Sequence, residues 1–126
     1  MLGLDHGGAR CGCALSDPTG TVATPLATVE RPDSEAGLRA IADLVREHDV
    51  DIVVVGLPLT LGGQESDQTR AARQFAERLA AVLAPVPVEL YDERLTTAQA
   101  RRTGGRADED SRAAAHLLEA WLARRG

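Results

Sequence analysis

The amino-acid sequence predicts an α/β protein in which helices flank a mixed five-stranded sheet on both faces. Residues 1–29 hold three short apolar runs separated by Gly and Pro, which is typical of an antiparallel meander. After them, segments with helical periodicity alternate with apolar runs, which indicates βαβ crossovers between parallel strands. Because 126 residues fit one compact domain, we expect a single domain over residues 1–126.

The first three predicted strands form the antiparallel part of the sheet. They cover Leu2–Asp5, Cys11–Leu15 and Thr21–Thr28, and the turn residues Asp17–Gly20 separate the last two. With the parallel strands added by the later crossovers, the first strand is expected at the centre of the sheet, beside the fourth.

The later elements alternate between helices and strands. Asp33 or Ser34 is expected to cap the first helix, and the apolar strand Asp51–Leu57 should be covered on both faces. The second helix carries an apolar stripe formed by Ala72, Phe75, Ala76, Leu79 and Leu83. A strand, a short helical piece and a final helix follow at Val88–Glu93, Thr96–Arg102 and Asp108–Arg124.

Composition limits the classes of function. A net charge of −5 and a pI near 5.1 argue against a surface that coats nucleic acid broadly. All 14 basic residues are Arg, and a cluster between positions 94 and 112 is either a local polyanion contact or a solvated helix face: Arg94, Arg101, Arg102, Arg106 and Arg112. Because neither a membrane span of ~20 apolar residues nor a signal peptide is seen, we expect a cytoplasmic protein with no membrane partner.

The two cysteines, Cys11 and Cys13, lie two residues apart on a predicted strand and therefore face the same side. A disulfide between them would be strained, and the spacing of a four-ligand zinc site is absent. We expect both to be small buried hydrophobic residues.

Asp5 closes the first predicted strand, and His6, Gly7 and Gly8 follow it directly. Ligands of open α/β sheets bind outside the carboxyl ends of the strands, near the point where the strand order reverses. A carboxylate is costly to bury at the end of an apolar strand unless something pairs with it. Taken alone, Asp5 is equally well interpreted as an active-site acid or as a turn residue.

The last predicted strand ends in a second polar group. Two adjacent acids, Asp92 and Glu93, are followed by Arg94 and by the hydroxyls of Thr96 and Thr97. A helix cap explains one of the two Thr residues, but it does not explain two acids at a strand end.

Asp110 is the third candidate acid. On the final helix it shares a stripe with Ala114, Leu117 and Trp121, so its side chain is expected to face the sheet. The alternative is an acid that is favoured in the first turn by the helix dipole. Three carboxylates at one sheet edge, without a Cys/His set, suit Mg²⁺ or Mn²⁺, and two such ions about 4 Å apart can cleave a phosphodiester.

Four segments of the chain, in this order, resemble the YqgF (RuvX) family: LGLDHGGARCGCALSDP, VVGLPLTLGGQES, DERLTTAQA and DSRAAAHLLEAWL. Members of this family are small bacterial proteins with an RNase H-like fold. They are described as Holliday junction resolvases and as nucleases that mature the 5′ end of pre-16S rRNA. The chain departs from the family in a shorter, less basic stretch over Gln99–Glu109, and in His6, where the family often has Tyr or Phe. His6 either contacts the substrate or acts in proton transfer, or it is a turn residue that tolerates this position.

The resemblance implies a set of site residues. Asp5, Glu93 and Asp110 would be catalytic acids that bind two Mg²⁺ or Mn²⁺ ions, with Asp92 as the alternative to Glu93. The expected substrate-binding residues combine side chains with glycine backbones that approach a phosphate closely: Arg10, Arg94, Thr96, Gly7, Gly8, Gly62 and Gly63.

The expected function is therefore metal-dependent hydrolysis of phosphodiester bonds in structured nucleic acid, with 5′-end processing of pre-16S rRNA as the first candidate. Resolution of branched DNA in recombination is the alternative, and it would favour a symmetric homodimer over a monomer because two opposed strands must be cut. A non-catalytic nucleic-acid-binding module is an alternative of another class. Such a module would gain nothing from three carboxylates at its binding site, because they repel the phosphates of the nucleic acid.

Overall fold

The computed structural model describes residues 1–59, 62–92 and 106–125, and in the last range it describes the side chains of residues 111–124. The elements, in chain order, are β1 (Leu2–His6), β2 (Arg10–Ser16), β3 (Ala23–Glu30), α1 (Glu35–Glu47), β4 (Val53–Leu57), α2 (Asp67–Leu83), β5 (Val88–Asp92) and α3 (Arg106–Arg125). The predicted order of strands and helices is confirmed. The short helical piece predicted at Thr96–Arg102 lies outside the described residues.

The five strands form one mixed sheet in the order β3-β2-β1-β4-β5. β1 is antiparallel to β2 and parallel to β4, and β5 is parallel to β4. The prediction that the first strand lies at the centre, beside the fourth, is confirmed. Its carboxyl end therefore lies at the same edge of the sheet as the carboxyl ends of β4 and β5.

Residues on the two sides of the sheet pack against different helices. Leu2, Leu4, Val53 and Val55 pack with α1 and α2, and we call this side the two-helix face. Val54 and Ala14 pack with α3 on the opposite side, the α3 face. The predicted α2 stripe is buried on the two-helix face, and on α3 the predicted positions Ala114, Leu117 and Trp121 are buried as well. Successive residues of a strand thus belong to opposite faces.

β3 begins two residues later than predicted, at Ala23 instead of Thr21. The Asp17 carboxylate accepts hydrogen bonds from the Thr21 and Val22 amides, and the Asp17 amide donates to the Val22 carbonyl. The turn therefore extends through Val22, because its backbone groups are already paired with Asp17 and cannot join the ladder.

Helices α1 and α2 are each capped at the N-terminus by a serine. The Ser34 hydroxyl accepts from the Gly37 amide at 3.0 Å, so Ser34, and not Asp33, caps α1. Ser66 caps α2, and the Thr69 hydroxyl in turn accepts from the Ser66 amide, which completes a capping box. Because Asp33 does not cap the helix, its carboxylate is available to His6, with which it forms a hydrogen bond.

Cys11 and Cys13 are free thiols with 0% exposure on the two-helix face, which confirms the prediction of small buried residues. The hydrogen bond with the Cys13 thiol, together with burial, raises the pKa of Cys11, while the same bond lowers the pKa of Cys13. We expect neither thiol to react with iodoacetamide in the native protein, because burial excludes the reagent. Mass spectrometry should find both alkylated in urea and neither without it. Full labelling of the native protein would contradict the burial of this strand.

Among the described residues, no helix is long and apolar enough to span a membrane.

Candidate active site

Three parallel strands end side by side at one edge of the sheet. β1 and β4 pair at Leu4 and Val55, so Asp5 lies level with Gly56, which pairs with Tyr91 of β5. Asp5 is paired with Gly12 on its other side and is half-buried. The central strand therefore presents a carboxylate at the edge where open α/β sheets bind their ligands.

Asp5 lies on the α3 face of the sheet. Two residues earlier, Gly3 approaches α3 so closely that a Cβ there would lie 2.9 Å from the Leu118 Cβ and 3.1 Å from the Ala114 carbonyl oxygen. Because alternate residues of a strand share a face, Asp5 belongs to the same side as Gly3. Leu4 and His6 belong to the two-helix face.

Two hydrogen bonds define the direction of α3 across the sheet. The Ser111 hydroxyl donates to the Leu26 carbonyl at 2.6 Å, and the Ala23 amide donates to the Glu119 carboxylate at 3.1 Å. α3 thus runs antiparallel to β3, and therefore also to β1, since both strands are antiparallel to β2. Its first turns, which contain Asp110, lie at the carboxyl end of β1 where Asp5 is found.

Asp92 belongs to the face opposite Asp5. On β5, Val88 packs against the two-helix face and Tyr91 against the α3 face. By alternation Asp92 shares the side of Val88. The remaining predicted residues of this segment, Glu93, Arg94 and Thr96, lie outside the described residues, as does the side chain of Asp110.

The hairpin after Asp5 is tight. The Gly7 amide donates to the Arg10 carbonyl at 2.9 Å, and a Cβ on Gly7 would lie 2.9 Å from the same oxygen, so glycine is needed there. A Cβ on Gly8 would meet no atom within 4 Å. Arg10 begins β2 and is half-buried. The Gly7 amide is thus engaged in the turn, whereas Gly8 is exposed, with open space around the position of its missing Cβ.

The segment after β4 is tied to the start of α2. Leu59 and Glu65 form an isolated antiparallel bridge, and the Thr69 hydroxyl donates to the Pro58 carbonyl. Gly62 and Gly63 lie between Leu59 and Glu65. A Cβ on Gly62 would meet no atom within 4 Å, and Gly63 has a φ of 82°, which favours glycine. Both ends of this loop are therefore held at the carboxyl edge of the sheet.

His6 is neither a turn residue nor exposed to a substrate, which corrects both interpretations of the sequence. It is the last residue of β1, and its side chain is only 4% exposed. The ring stacks on Phe75 of α2, with centroids 4.5 Å apart, and Nε2 donates to the Asp33 carboxylate at 2.9 Å. The sequence already indicated that His6 is buried, because Leu2, Leu4 and His6 alternate along the strand and therefore share one side of it.

The described part of the chain contains no cluster of three His, Cys, Asp or Glu residues that could hold a metal ion. Of the candidate ligands, the side chains of Asp5 and of the alternative Asp92 fall within that part, and these two residues belong to opposite faces of the sheet. The surroundings of Asp5 fit a hard cation, which prefers oxygen ligands. The Asp5 carboxylate is half-buried, and the Cys11, Cys13 and His6 side chains face the opposite side of the sheet.

The sheet order and the helix on its α3 face define an RNase H-like fold. A solved structure, "T. thermophilus RuvC in complex with Holliday junction substrate", superimposes with a TM-score of 0.60 and 18% identity, over 100% of this chain and 96% of that chain. At that identity the similarity shows the shared fold.

The chain belongs to the RuvX family, whose model, described as "RuvX: Holliday junction resolvase", matches residues 1–124. Similar relatives include a protein of Mycobacterium ulcerans (strain Agy99), 45% identical over 98% of this chain and 78% of the relative. Another, from Anaeromyxobacter sp. (strain Fw109-5), is 47% identical over 96% of this chain and 94% of the relative. Both are named "Putative pre-16S rRNA nuclease".

Proposed function

We propose that this protein is a metal-dependent nuclease that hydrolyses phosphodiester bonds in structured nucleic acid, and that it processes the 5′ end of pre-16S rRNA in the cytoplasm. One observation carries the proposal. The half-buried Asp5 carboxylate lies one residue before the end of the central strand, on the face covered by α3, and the first turns of that helix, with Asp110, lie at the same sheet edge. The names of the relatives supply the substrate.

In this proposal Asp5, Glu93 and Asp110 hold two Mg²⁺ or Mn²⁺ ions. Glu93 is preferred to Asp92 because Asp92 has the same parity on β5 as Val88, which packs on the two-helix face, away from Asp5. When bound, such ions supply a nucleophilic water and stabilise the leaving oxygen. The part of Asp5 is to hold its carboxylate at a fixed point of the sheet edge.

The substrate strand would be bound by side chains and open backbone around this edge. Arg10 begins β2 beside the hairpin, Gly8 and Gly62 leave room for a phosphate to approach the chain, and Gly63 beside Gly62 is exposed. Gly7 contributes through the shape of the turn, because its amide is already bonded to the Arg10 carbonyl. Arg94 and Thr96 complete the proposed set.

Resolution of Holliday junctions is the second candidate, because the family description and the RuvC complex both refer to that substrate. The two candidates differ in assembly. Cutting two opposed strands symmetrically requires a homodimer, whereas trimming one RNA end is possible for a monomer.

The deciding experiment compares two substrates in one assay. Purified protein is incubated with a pre-16S rRNA leader and with a synthetic four-way DNA junction, each with Mg²⁺, Mn²⁺ or EDTA. We expect cleavage of the RNA with either metal, no cleavage with EDTA, and a monomer by light scattering. Preferred cleavage of the junction by a homodimer would favour the second candidate. Metal-independent binding without cleavage of either substrate would favour a non-catalytic module and overturn the proposal.

A further inference from the structure

The carboxyl end of β1 needs an anchor if Asp5 is to hold a fixed position. The strand continues directly into Gly7 and Gly8, both exposed, and glycines leave the backbone more conformational freedom than any other residue. On the α3 face, the close contact with the helix is made at Gly3, two residues before Asp5, where the bare backbone lies against Leu118 and Ala114. Ladder hydrogen bonds fix the separation of neighbouring strands, but the end of a strand can still twist about its own axis.

The two-helix face supplies that anchor through His6. The imidazole is nearly completely buried, stacks on the fully buried Phe75 of α2 with an interplanar angle of 28°, and donates to Asp33 at 2.9 Å. Asp33 lies between β3 and α1, and its backbone carbonyl accepts from the Arg78 guanidinium of α2. One side chain thus connects β1, the β3–α1 connection and α2.

We infer that His6 is a positioning residue for the proposed active site, and that Asp33 and Phe75 are the partners through which it acts. Neighbouring residues of a strand point to opposite faces. Fixing the His6 ring on the two-helix face therefore fixes the rotation of the strand end and directs the Asp5 carboxylate to the α3 face. This inference rests on the proposed function, because it is the role of Asp5 that gives its orientation a chemical purpose.

Asp33 offers the cleaner test, since its side chain is 45% exposed and its removal leaves the core intact. Asp43 of α1 is a matched control, because its side chain is 48% exposed and, like that of Asp33, pairs with a neighbouring side chain, here Arg46. The series is His6→Ala, Asp33→Ala, Asp33→Asn and Asp43→Ala. Asn keeps an acceptor oxygen for the His6 Nε2–H and is the conservative variant.

The first readout is amide hydrogen exchange of residues 2–8 in the metal-free protein, which does not depend on any activity. We expect faster exchange in His6→Ala and Asp33→Ala, wild-type exchange in Asp33→Asn and Asp43→Ala, and no change in α3. The second readout is Mn²⁺ binding by calorimetry, which should weaken about 10- to 100-fold in the first two variants, as for outer-shell partners of metal ligands. Cleavage kcat should fall by a similar factor while the substrate KM stays within about twofold.

Unchanged exchange of residues 2–8 in both His6→Ala and Asp33→Ala would overturn the inference, as would equal losses in Asp43→Ala. If His6→Ala does not fold, Asp33→Ala and its Asn counterpart still decide the matter. Failure of the proposed function has a different signature: either the wild-type protein cleaves neither substrate, or Asp5→Asn retains wild-type Mn²⁺ binding and cleavage, whatever the exchange data show.

Discussion

Replacement of Asp5 by Asn is expected to abolish metal-dependent cleavage while the fold is retained. Asn has nearly the same shape, and the backbone of Asp5 would keep its pairing with Gly12. The change removes the negative charge that a hard cation requires. Metal ions contribute several kcal/mol to the stabilisation of a phosphoryl transition state, so the loss should be about 10³-fold or more in kcat.

Asp51→Asn is the matched control for this variant. Asp51 precedes β4 at the opposite edge of the sheet, has a 73% exposed side chain and lies 3.7 Å from the amino terminus. It should cleave as the wild type does, because exposed ion pairs contribute about 0–1 kcal/mol and it lies far from the proposed site. Circular dichroism and thermal unfolding establish that both variants fold. Wild-type cleavage by a folded Asp5→Asn protein would refute the proposed mechanism.

The strands were predictable because their signals are local. Val53–Leu57 is apolar at almost every position and buried at all of them, as a parallel strand covered on both faces must be. Boundaries were less predictable where a side chain competes with the ladder. The Asp17 carboxylate accepts hydrogen bonds from two backbone amides, so β3 begins only at Ala23. The pattern of apolar residues does not indicate this competition.

The site was predictable to the extent that it follows from strand order. A central β1 puts Asp5 at the ligand-binding edge, and this could be inferred from the order of elements alone. The face of the sheet to which Asp92 belongs could not be inferred, because alternation assigns faces only after packing has shown which side Val88 takes. The partner of His6 was equally hidden, since Asp33 is 27 residues away and no periodicity relates the two.

The close contact between β1 and α3 leads to the second large effect, on stability. Gly3→Val would place a Cβ 2.9 Å from the Leu118 Cβ and 3.1 Å from the Ala114 carbonyl oxygen, and neither atom is the free end of a flexible side chain. The helix must move away from the sheet to relieve the overlap. Overpacking of this kind costs about 1–3 kcal/mol, and the two added methyl groups favour the upper end. Urea denaturation measures the change.

Gly62→Val controls for the loss of glycine itself, because a Cβ on Gly62 would meet no atom within 4 Å, and its free energy of unfolding should change far less. In Gly3→Val, displacement of α3 also separates the turn that contains Asp110 from Asp5. A shift of about 1 Å in a reacting group can cost 10²-fold in rate, so cleavage should fall by about that factor even where the variant is fully folded. Full cleavage by a destabilised Gly3→Val protein would mean that the position of α3 is irrelevant to catalysis. The proposed ligand set would then lose Asp110.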